Sequence, residues 1–214
     1  MVNLIPTKED WNKALSERHG EAVQKKFSSA TVAVCGLGGL GSNIAIALAR
    51  AGVGNLILID FDRVDITNLH RQQYKANQIG MNKADALSEN LKEIAPYIEL
   101  ETHTERVAEE NAAHLLQGAD IICEAFDDAE AKATLTNLVL ETMPDKYLVA
   151  ASGMAGFGSA NTIQTRRVAG KFYLCGDGAS DVETKGSLVS SRVMLCAAHQ
   201  AHTVLRILAG EFET

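Results

Sequence analysis

Hydrophobic residues along this chain follow two alternating patterns. One is a short apolar run, typical of a strand that is buried on both faces of a parallel sheet. The other places apolar residues three or four positions apart, typical of a helix with one buried face. The predicted strands are 32–35, 55–60, 98–102, 119–126 and 147–151, and the helices predicted between them are 43–51, 82–94, 109–116 and 129–142.

Both ends of the chain depart from this alternation. Residues 8–27 are mostly polar and are predicted to form one or two short helices, with a break at Gly20. Toward the other end, 161–166 and 171–174 predict an antiparallel hairpin around the turn 167–170. A polar loop, 176–186, then leads to a last amphipathic helix, whose apolar face is formed by Val189, Val193, Ala197, Ala201, Val204 and Leu208.

These elements predict an α/β fold with a Rossmann-like, mostly parallel sheet flanked by helices. The sheet is expected to carry an antiparallel C-terminal extension, followed by the final amphipathic helix. The length of 214 residues is that of one domain.

Composition narrows the classes of function. The net charge of −7 argues against a nucleic-acid-binding surface, which requires a basic patch. No apolar run approaches the roughly 20 residues of a membrane span, and the first residues lack the pattern of a secretory signal. The four cysteines form no C-x-x-C pair, which speaks against a zinc site and a disulfide framework. We therefore expect a cytoplasmic protein without zinc.

A glycine cluster follows the first apolar run. Gly36, Gly38, Gly39 and Gly41 separate it from the helix predicted at 43–51. Glycines let the backbone turn tightly and approach a phosphate, and the N-terminus of the next helix offers free N–H groups to the anion. The pattern predicts a nucleotide-phosphate cradle of the Rossmann type. By itself it does not choose between NAD, FAD and ATP.

The second apolar run ends in Asp60, which is placed to bond ribose hydroxyls; the alternative is a simple cap of the strand end. The loop 60–73 that follows is long and carries charges of both signs, as functional loops often do. Two basic residues, Arg71 and Lys83, are expected to face phosphates. Arginine offers them a bidentate fork and lysine a point charge.

Two carboxylates, Asp127 and Asp128, end the strand predicted at 119–126. The carboxyl ends of parallel strands face the ligand crevice. A magnesium ion that bridges ATP phosphates usually needs only one or two protein carboxylates.

Together, these motifs resemble the ThiF/MoeB/HesA family, the bacterial relatives of ubiquitin-activating enzymes. The motifs are Gly36–Gly41, Asp60–Asp62, Asn68–Gln72, Lys83 and Phe126–Asp128. The likeness runs from about Arg18 to Gly210, and residues 172–177 make the chain most similar to the compact ThiF-type proteins of thiamine biosynthesis. The reaction implied by the family joins AMP to the C-terminal glycine carboxylate of a small ubiquitin-like sulfur carrier, ThiS, and releases pyrophosphate.

The resemblance implies a division of the chain and a role for each motif. An N-terminal helical segment (1–28) would precede a nucleotide-binding core (29–152), and residues 153–214 would form the hairpin, a crossover loop and the last helix. Asp60 would hold the ribose of ATP, and Asp127 would hold magnesium. The phosphates would be held by Asn68, Arg71 and Lys83. Asp62 and Gln72 would complete the nucleotide site. Catalysis by Arg71, Lys83 and Asp127 would rest on positioning and charge neutralisation.

The family also implies partners. Its members are dimers in which an N-terminal arginine reaches the nucleotide of the partner, and Arg18 is the candidate here. Some relatives form a covalent sulfur link to the carrier through a cysteine in the loop before the last helix. Cys175, expected to open that loop, is the candidate for such a catalytic thiol. The alternative source of sulfur is a separate persulfide donor, such as a cysteine desulfurase.

The chain departs from the family pattern in two places. Many relatives carry two zinc-binding C-x-x-C pairs, and this chain has none. Asp128 and Lys132 stand where the family usually has asparagine and, a turn later, arginine. Asp128 would either strengthen metal binding or face solvent.

The sequence is compatible with several alternatives. His199 and His202 have a spacing that suits a metal, but the sequence offers no third ligand. The enzyme could act on another carrier (MoaD-like), or could be a tRNA-modifying relative, which the acidic charge disfavours. Other classes are a nucleotide-binding module without turnover and a nicotinamide-dependent oxidoreductase. The latter leaves Asn68, Arg71 and Gln72 unexplained.

Overall fold

The structure, a computed structural model, describes residues 5–214; residues 1–4 of the predicted N-terminal segment lie outside it. The helices are α1 (Lys8–His19), α2 (Glu21–Ser29), α3 (Gly39–Ala51), α4 (Lys83–Ile94), α5 (Glu109–Leu116), α6 (Ala129–Thr142), α7 (Val182–Lys185) and α8 (Ser190–Ala209). The strands are β1 (Thr31–Cys35), β2 (Asn55–Ile59), β3 (Glu99–His103), β4 (Ile121–Glu124), β5 (Tyr147–Ala151), β6 (Gln164–Ala169) and β7 (Phe172–Gly176).

Within the described residues, seven strands form one sheet in the order β3-β2-β1-β4-β5-β7-β6. Every neighbouring pair is parallel except β6 and β7, which are antiparallel and form one edge. The predicted fold class is therefore confirmed. The reversal of strand order at β1 places the carboxyl end of β1 between those of β2 and β4, where α/β proteins bind ligands.

Alternate residues of the central strands point to opposite faces of the sheet and bury two apolar clusters. On one face, β1 contributes Val32 and Val34, which pack with residues of α3, α4 and α8. On the other face, Ala33 and Cys35 pack with residues of α5 and α6. Burial on both faces explains why these strands are apolar runs in the sequence.

The N-terminal segment forms two helices that break at Gly20, as predicted. Helix α2 docks through the buried Phe27 and through two hydrogen bonds. The Gln24 side-chain amide donates to the carbonyl of Gly52 (3.1 Å), and Lys26 donates to the carbonyl of Ala209 (2.8 Å). Both contacts lie at the C-terminal ends of their partner helices, so this segment packs away from the N-terminus of α3.

The hairpin differs in detail from the prediction. Its first strand continues to Ala169 and so includes most of the turn predicted at 167–170. Arg167 stays in the strand because it pairs with Tyr173, and its guanidinium lies 5.8 Å from the centre of that ring. The second strand continues through Cys175 to Gly176, and the polar loop after it contains the short helix α7. No helix between residues 5 and 214 is long and apolar enough to cross a membrane.

Arg192, in the first turn of α8, connects two loops. Its guanidinium donates to the carbonyls of Gly158 (2.8 Å) and Ser159 (2.6 Å), and to Asp177 Oδ2 (2.5 Å). The Asp177 carboxylate also accepts hydrogen bonds from the backbone of the turn that follows it. Desolvation opposes ionisation of Asp177, but these hydrogen bonds outweigh it and lower its pKa from 3.8 to about 2.

We expect Asp177→Asn to lower the free energy of unfolding at neutral pH by about 1–3 kcal/mol, because hydrogen bonds to a charged group contribute about that much. The pKa of Asp177 is lower in the folded protein than its ordinary 3.8, so its stabilisation is complete above that pH and is lost as the pH falls toward about 2. Urea unfolding of both proteins across this acidic range measures the effect. A stability difference that does not shrink on acidification would contradict it.

Candidate functional site

The candidate site lies at the carboxyl ends of β1, β2 and β4. The glycine loop follows β1, the loop 60–73 follows β2, and the turn 125–128 follows β4. The strand order places the glycine loop between the other two segments. Three separate motifs of the sequence therefore meet in one crevice.

Close backbone contacts explain the glycines of this loop. Gly36 has a φ of +89°, and a Cβ on it would lie 2.8 Å from the carbonyl oxygen of Ala125. A Cβ on Gly41 would lie 1.8 Å from the carbonyl oxygen of Gly36, so the loop closes on the first turn of α3. Gly38 caps α3, and Gly39 begins this 13-residue helix. The helix N-terminus faces the crevice and favours an anion there.

Asp60 fixes the glycine loop against the end of β2. Its buried carboxylate accepts hydrogen bonds from Leu37 N (2.6 Å) and from Asp62 N (2.8 Å). Burial raises the pKa of Asp60, although Lys83 and these two N–H donors oppose the shift. From the other side, the Tyr74 hydroxyl donates to the carbonyl of Leu37 (2.7 Å). Asp60 thus caps the strand end, as the alternative interpretation proposed, while lying beside the predicted phosphate loop.

Lys83 is buried at the N-terminus of α4. Its ammonium donates to Asp62 Oδ2 (2.9 Å) and lies 3.9 Å from Asp60 Oδ2. The backbone N–H of Lys83 also donates to the carbonyl of Asp62 (2.9 Å). The structure therefore brings the lysine to the two carboxylates that follow β2.

The segment 65–73 is held against α3 by polar contacts. Asn68 closes a short 3-10 turn by accepting from Asp65 N (3.1 Å). The Asn43 side-chain amide donates to the carbonyls of Gly39 (2.7 Å) and Arg71 (3.2 Å). Because of these bonds, the side chain of Arg71 lies beside Gly39, 3.4 Å from the position of a Cβ built there.

Arg71 and Gln72 bring buried polar atoms to this crevice. Among residues 5–214, neither Arg71 Nε nor Gln72 Oε1 finds a hydrogen-bond partner. The side-chain nitrogen of Gln72 lies 3.7 Å from the position of a Cβ on Gly38. A buried polar atom without a partner carries a free-energy penalty. Arg192 Nε and Gln200 Oε1, both in α8, are likewise without a partner among residues 5–214, but only the atoms of Arg71 and Gln72 lie beside the glycine loop.

The two carboxylates after β4 have different environments. Asp128 is the N-cap of α6, where it accepts from Ala131 N (2.8 Å). Asp127 is exposed, and within the described part of the chain its carboxylate forms no ion pair. One oxygen of Asp128 is thus committed to the helix, whereas Asp127 is available to a ligand.

An ion pair between the buried Glu124 and the partly exposed Lys132 lies next to this turn. Lys132 donates to both oxygens of Glu124 at 3.0 Å each, and Glu124 also accepts from Phe126 N (2.8 Å). Burial raises the pKa of Glu124, while Lys132 and the hydrogen bonds oppose the rise. Sequence reasoning did not single out Glu124. The only available signal was an acidic residue at the end of an otherwise apolar run.

The position predicted for Cys175 was wrong. The residue does not open the polar loop; it lies within β7 and is fully buried. Its thiol contacts the hydroxyl of Thr165 (3.5 Å), and burial raises its pKa. Cysteine reactivity depends on an accessible thiolate. In this conformation the thiol is therefore as shielded as those of the other three cysteines, Cys35, Cys123 and Cys196.

We expect all four thiols to react slowly with a disulfide reagent such as Ellman's reagent while the protein is folded. Burial raises the pKa of every one of them, that of Cys196 to about 12. Unfolding in guanidinium should release four equivalents at once. One fast equivalent in the native protein that disappears in Cys175→Ser would contradict this expectation.

Two other candidates do not join the crevice. Arg18 is exposed in the last turn of α1, next to His19, which contacts Gln24 near the C-terminal end of α3. His199 bonds Thr165 (2.9 Å) on the β6 side of α8. In the described residues no group of three His, Cys, Asp or Glu side chains is arranged to hold a metal, so His199 and His202 find no third protein ligand.

Comparison with known proteins places this geometry in a family. The model of the ThiF family matches residues 12–214. The chain belongs to the ThiF family. Among curated relatives, the "adenylyltransferase and sulfurtransferase UBA4" of Lodderomyces elongisporus is 27% identical over 88% of this chain and 42% of its own length. The "adenylyltransferase and sulfurtransferase MOCS3" of Anopheles gambiae is 33% identical over 71% of this chain and 34% of its own. This ThiF-family chain thus matches less than half the length of these relatives.

Solved structures share the fold. The tRNA N6-threonylcarbamoyladenosine dehydratase TcdA of E. coli in complex with ATP superposes with a TM-score of 0.84 at 22% identity, over 97% of this chain and 98% of that one. The E. coli MccB structure with ATP gives a TM-score of 0.70 at 22% identity, over 89% of this chain and 59% of that one. Both have the architecture of this ThiF-family chain.

Proposed function

We propose that this protein binds ATP in the crevice and transfers AMP to the C-terminal carboxylate of a ubiquitin-like carrier protein. The observation that carries the proposal is the meeting of the glycine loop with Arg71 and Gln72, whose Nε and Oε1 atoms are buried without a hydrogen-bond partner among residues 5–214. They lie next to the N-terminus of α3, where an anion is favoured. A nicotinamide-dependent oxidoreductase would explain the glycines but not the segment 65–73, which carries Arg71 and Gln72.

Each group of residues in the crevice would bind a different part of ATP. The loop of Gly36, Gly38, Gly39 and Gly41 gives the phosphates close access to the backbone. The guanidinium of Arg71 offers a planar fork to phosphate oxygens, and the side-chain amides of Asn68 and Gln72 supply further polar groups. Asp60 lies at the end of β2, where Rossmann-type proteins bond the ribose. Lys83 balances the negative charge of Asp60 and Asp62.

Asp127 fits a magnesium ion, because its exposed carboxylate has no competing partner among residues 5–214. Magnesium is commonly held by one or two carboxylates together with substrate phosphates. Bound there, the ion would neutralise phosphate charge. Asp128 makes no part of this proposal, since it caps α6.

The reaction would be a displacement at phosphorus. A carboxylate oxygen of the carrier attacks the α-phosphorus, and the bond from that phosphorus to the bridging oxygen of pyrophosphate breaks with its electron pair leaving on pyrophosphate. No proton needs to move, because the nucleophile is already ionised. The protein therefore acts through alignment of the two reactants and through neutralisation of the developing charge.

We propose ThiS as the carrier, for thiamine thiazole synthesis, because of the sequence of 172–177. A MoaD-like carrier is the alternative within the same chemistry. A tRNA-modifying function is a second candidate, because TcdA matches nearly the whole chain. The net charge of −7 favours a protein carrier over tRNA.

The proposal extends to the assembly. We propose a cytoplasmic homodimer in which Arg18 of one copy reaches the nucleotide of the other, since Arg18 lies far from the crevice of its own chain. With Cys175 buried, we favour a separate persulfide donor, such as a cysteine desulfurase, as the source of sulfur.

The test is carrier-dependent exchange of labelled pyrophosphate into ATP, with ThiS-like and MoaD-like proteins that end in Gly-Gly. We expect exchange with the ThiS-like carrier and none when its last glycine is removed. Exchange with the MoaD-like protein alone would show that the carrier is of the MoaD type and not ThiS. ATP binding without exchange, together with binding of tRNA, would favour the second candidate.

A further inference from the structure

The ion pair between Glu124 and Lys132 has no part in the roles above. Glu124 is 1% exposed, whereas its partner Lys132 is 25% exposed. Removing a carboxylate from water has a high free-energy cost, so the deep burial of Glu124 calls for an explanation beyond stability. Glu124 is one residue before the turn 125–128, and Lys132 is one helical turn after it.

The geometry excludes Lys132 as a phosphate ligand. A lysine ammonium has three N–H donors. Two of them bond the oxygens of Glu124 at 3.0 Å, and the third bonds the carbonyl of Ala151 at 3.1 Å. All three donors are therefore used within the protein, and Lys132 bridges the ends of β4 and β5.

Glu124 in turn fixes the turn that carries Asp127. One carboxylate oxygen accepts from Phe126 N at 2.8 Å, and the buried Gln200 amide donates to the carbonyl of Glu124 at 2.9 Å. Ala125 and Phe126, which are held in this way, lie in close contact with the glycine loop. A Cβ on Gly36 would lie 2.8 Å from Ala125 O and 2.9 Å from the Phe126 ring.

We propose that Glu124 and Lys132 form a positioning pair, which sets the turn 125–128 against the glycine loop and so aims Asp127 at the nucleotide–metal complex. The proposal rests on the proposed function for the identity of that ligand. Neither residue touches the nucleotide. Their effect passes through the backbone of Phe126 and Asp127.

The experiment compares Glu124→Gln, Lys132→Met, Lys132→Arg and the double variant Glu124→Gln/Lys132→Met with the wild type. Lys146→Met is the matched control, because Lys146 is also partly buried and donates to a backbone carbonyl (Gln117 O, 3.0 Å), but forms no ion pair with a carboxylate of residues 5–214. ATP affinity is measured by calorimetry, once with magnesium and once with excess chelator. Hydrogen–deuterium exchange of the peptide that spans 125–128 is followed without any ligand.

We expect Glu124→Gln and Lys132→Met each to weaken binding of magnesium–ATP about tenfold, as residues that orient a metal ligand commonly do. Affinity for ATP in chelator should change less than about twofold. The double variant should be no weaker than the worse single variant, because the two residues act as one unit. Lys132→Arg should remain close to wild type. Exchange in 125–128 should be faster in both single variants.

A loss of ATP affinity in Lys132→Met that is equal with and without magnesium, and absent in Glu124→Gln, would overturn the proposal in favour of direct contact. Unchanged exchange in 125–128 would also overturn it. Should wild-type protein bind no ATP, the proposed function fails, and the exchange data alone still decide whether the pair positions the turn. If Lys132→Met does not fold, the same measurements on Glu124→Gln and Lys132→Arg are compared with those on the wild type.

Discussion

Arg71→Ala is expected to reduce carrier-dependent pyrophosphate exchange by about 100- to 1000-fold, the range seen when one preorganised donor to a transition state is removed. Arg71 Nε is buried without a partner among residues 5–214, and the side chain lies beside Gly39. Its guanidinium makes two long protein contacts through one nitrogen, to Thr67 O at 3.2 Å and to His70 Nε2 at 3.4 Å. Removal of the side chain should therefore cost little stability, within about 1 kcal/mol by urea unfolding.

Two variants make this result specific. Arg71→Lys keeps the charge but not the planar fork, and we expect it to recover only part of the activity. Arg167→Ala removes an arginine from the distant edge strand β6 and should leave exchange unchanged. Near-normal turnover in Arg71→Ala would refute the role assigned to Arg71. A large loss of stability in Arg71→Ala would show that Arg71 stabilises the loop 60–73 instead.

Gly41→Ala is expected to abolish ATP binding and to lower the free energy of unfolding by about 3 kcal/mol or more, at the upper end of the cost of overpacking. The added Cβ would lie 1.8 Å from the carbonyl oxygen of Gly36 and 3.1 Å from Val34. The first of these atoms belongs to the backbone, so the glycine loop itself has to move. Movement of the loop would separate Gly36 from the turn 125–128 and from Asp60, which bonds Leu37 N.

Gly118→Ala is the matched control, because the nearest atom to a Cβ there is Ile57 Cδ1 at 3.8 Å. This is an ordinary van der Waals contact, and we expect a change in stability within about 0.5 kcal/mol. Thermal or urea unfolding and calorimetric titration with ATP measure both variants. Wild-type ATP affinity in Gly41→Ala would contradict the close approach on which the site is built.

The central strands and most helices follow from the sequence because they are determined by local patterns. The apolar runs 32–35 and 55–59 are buried on both faces, and helices α5 and α6 have the predicted bounds. The hairpin turn was placed too early, because a cross-strand pair holds Arg167 in β6. Such a pairing is not visible in a local pattern.

The motifs of the site follow from the sequence, whereas their environments do not. The sequence places Asp127 and Asp128 side by side, but only the structure commits Asp128 to the cap of α6. It likewise places Cys175 at the edge of a polar loop, and only the packing of β7 under α8 buries the thiol. The pairing of Lys132 with Glu124 depends on the approach of α6 to the ends of β4 and β5.

The sequence was sufficient to predict the order of the strands and helices along the chain, the glycine loop, and the membership in the ThiF family that the match over residues 12–214 supports. These depend on periodicity and on residues whose backbone requirements are local. The tertiary structure alone decided which ionisable groups are paired, capped or free. Burial and ion pairing join residues from different elements, such as Asp60 with Lys83 and Glu124 with Lys132, and these distances arise only when the sheet and helices pack together.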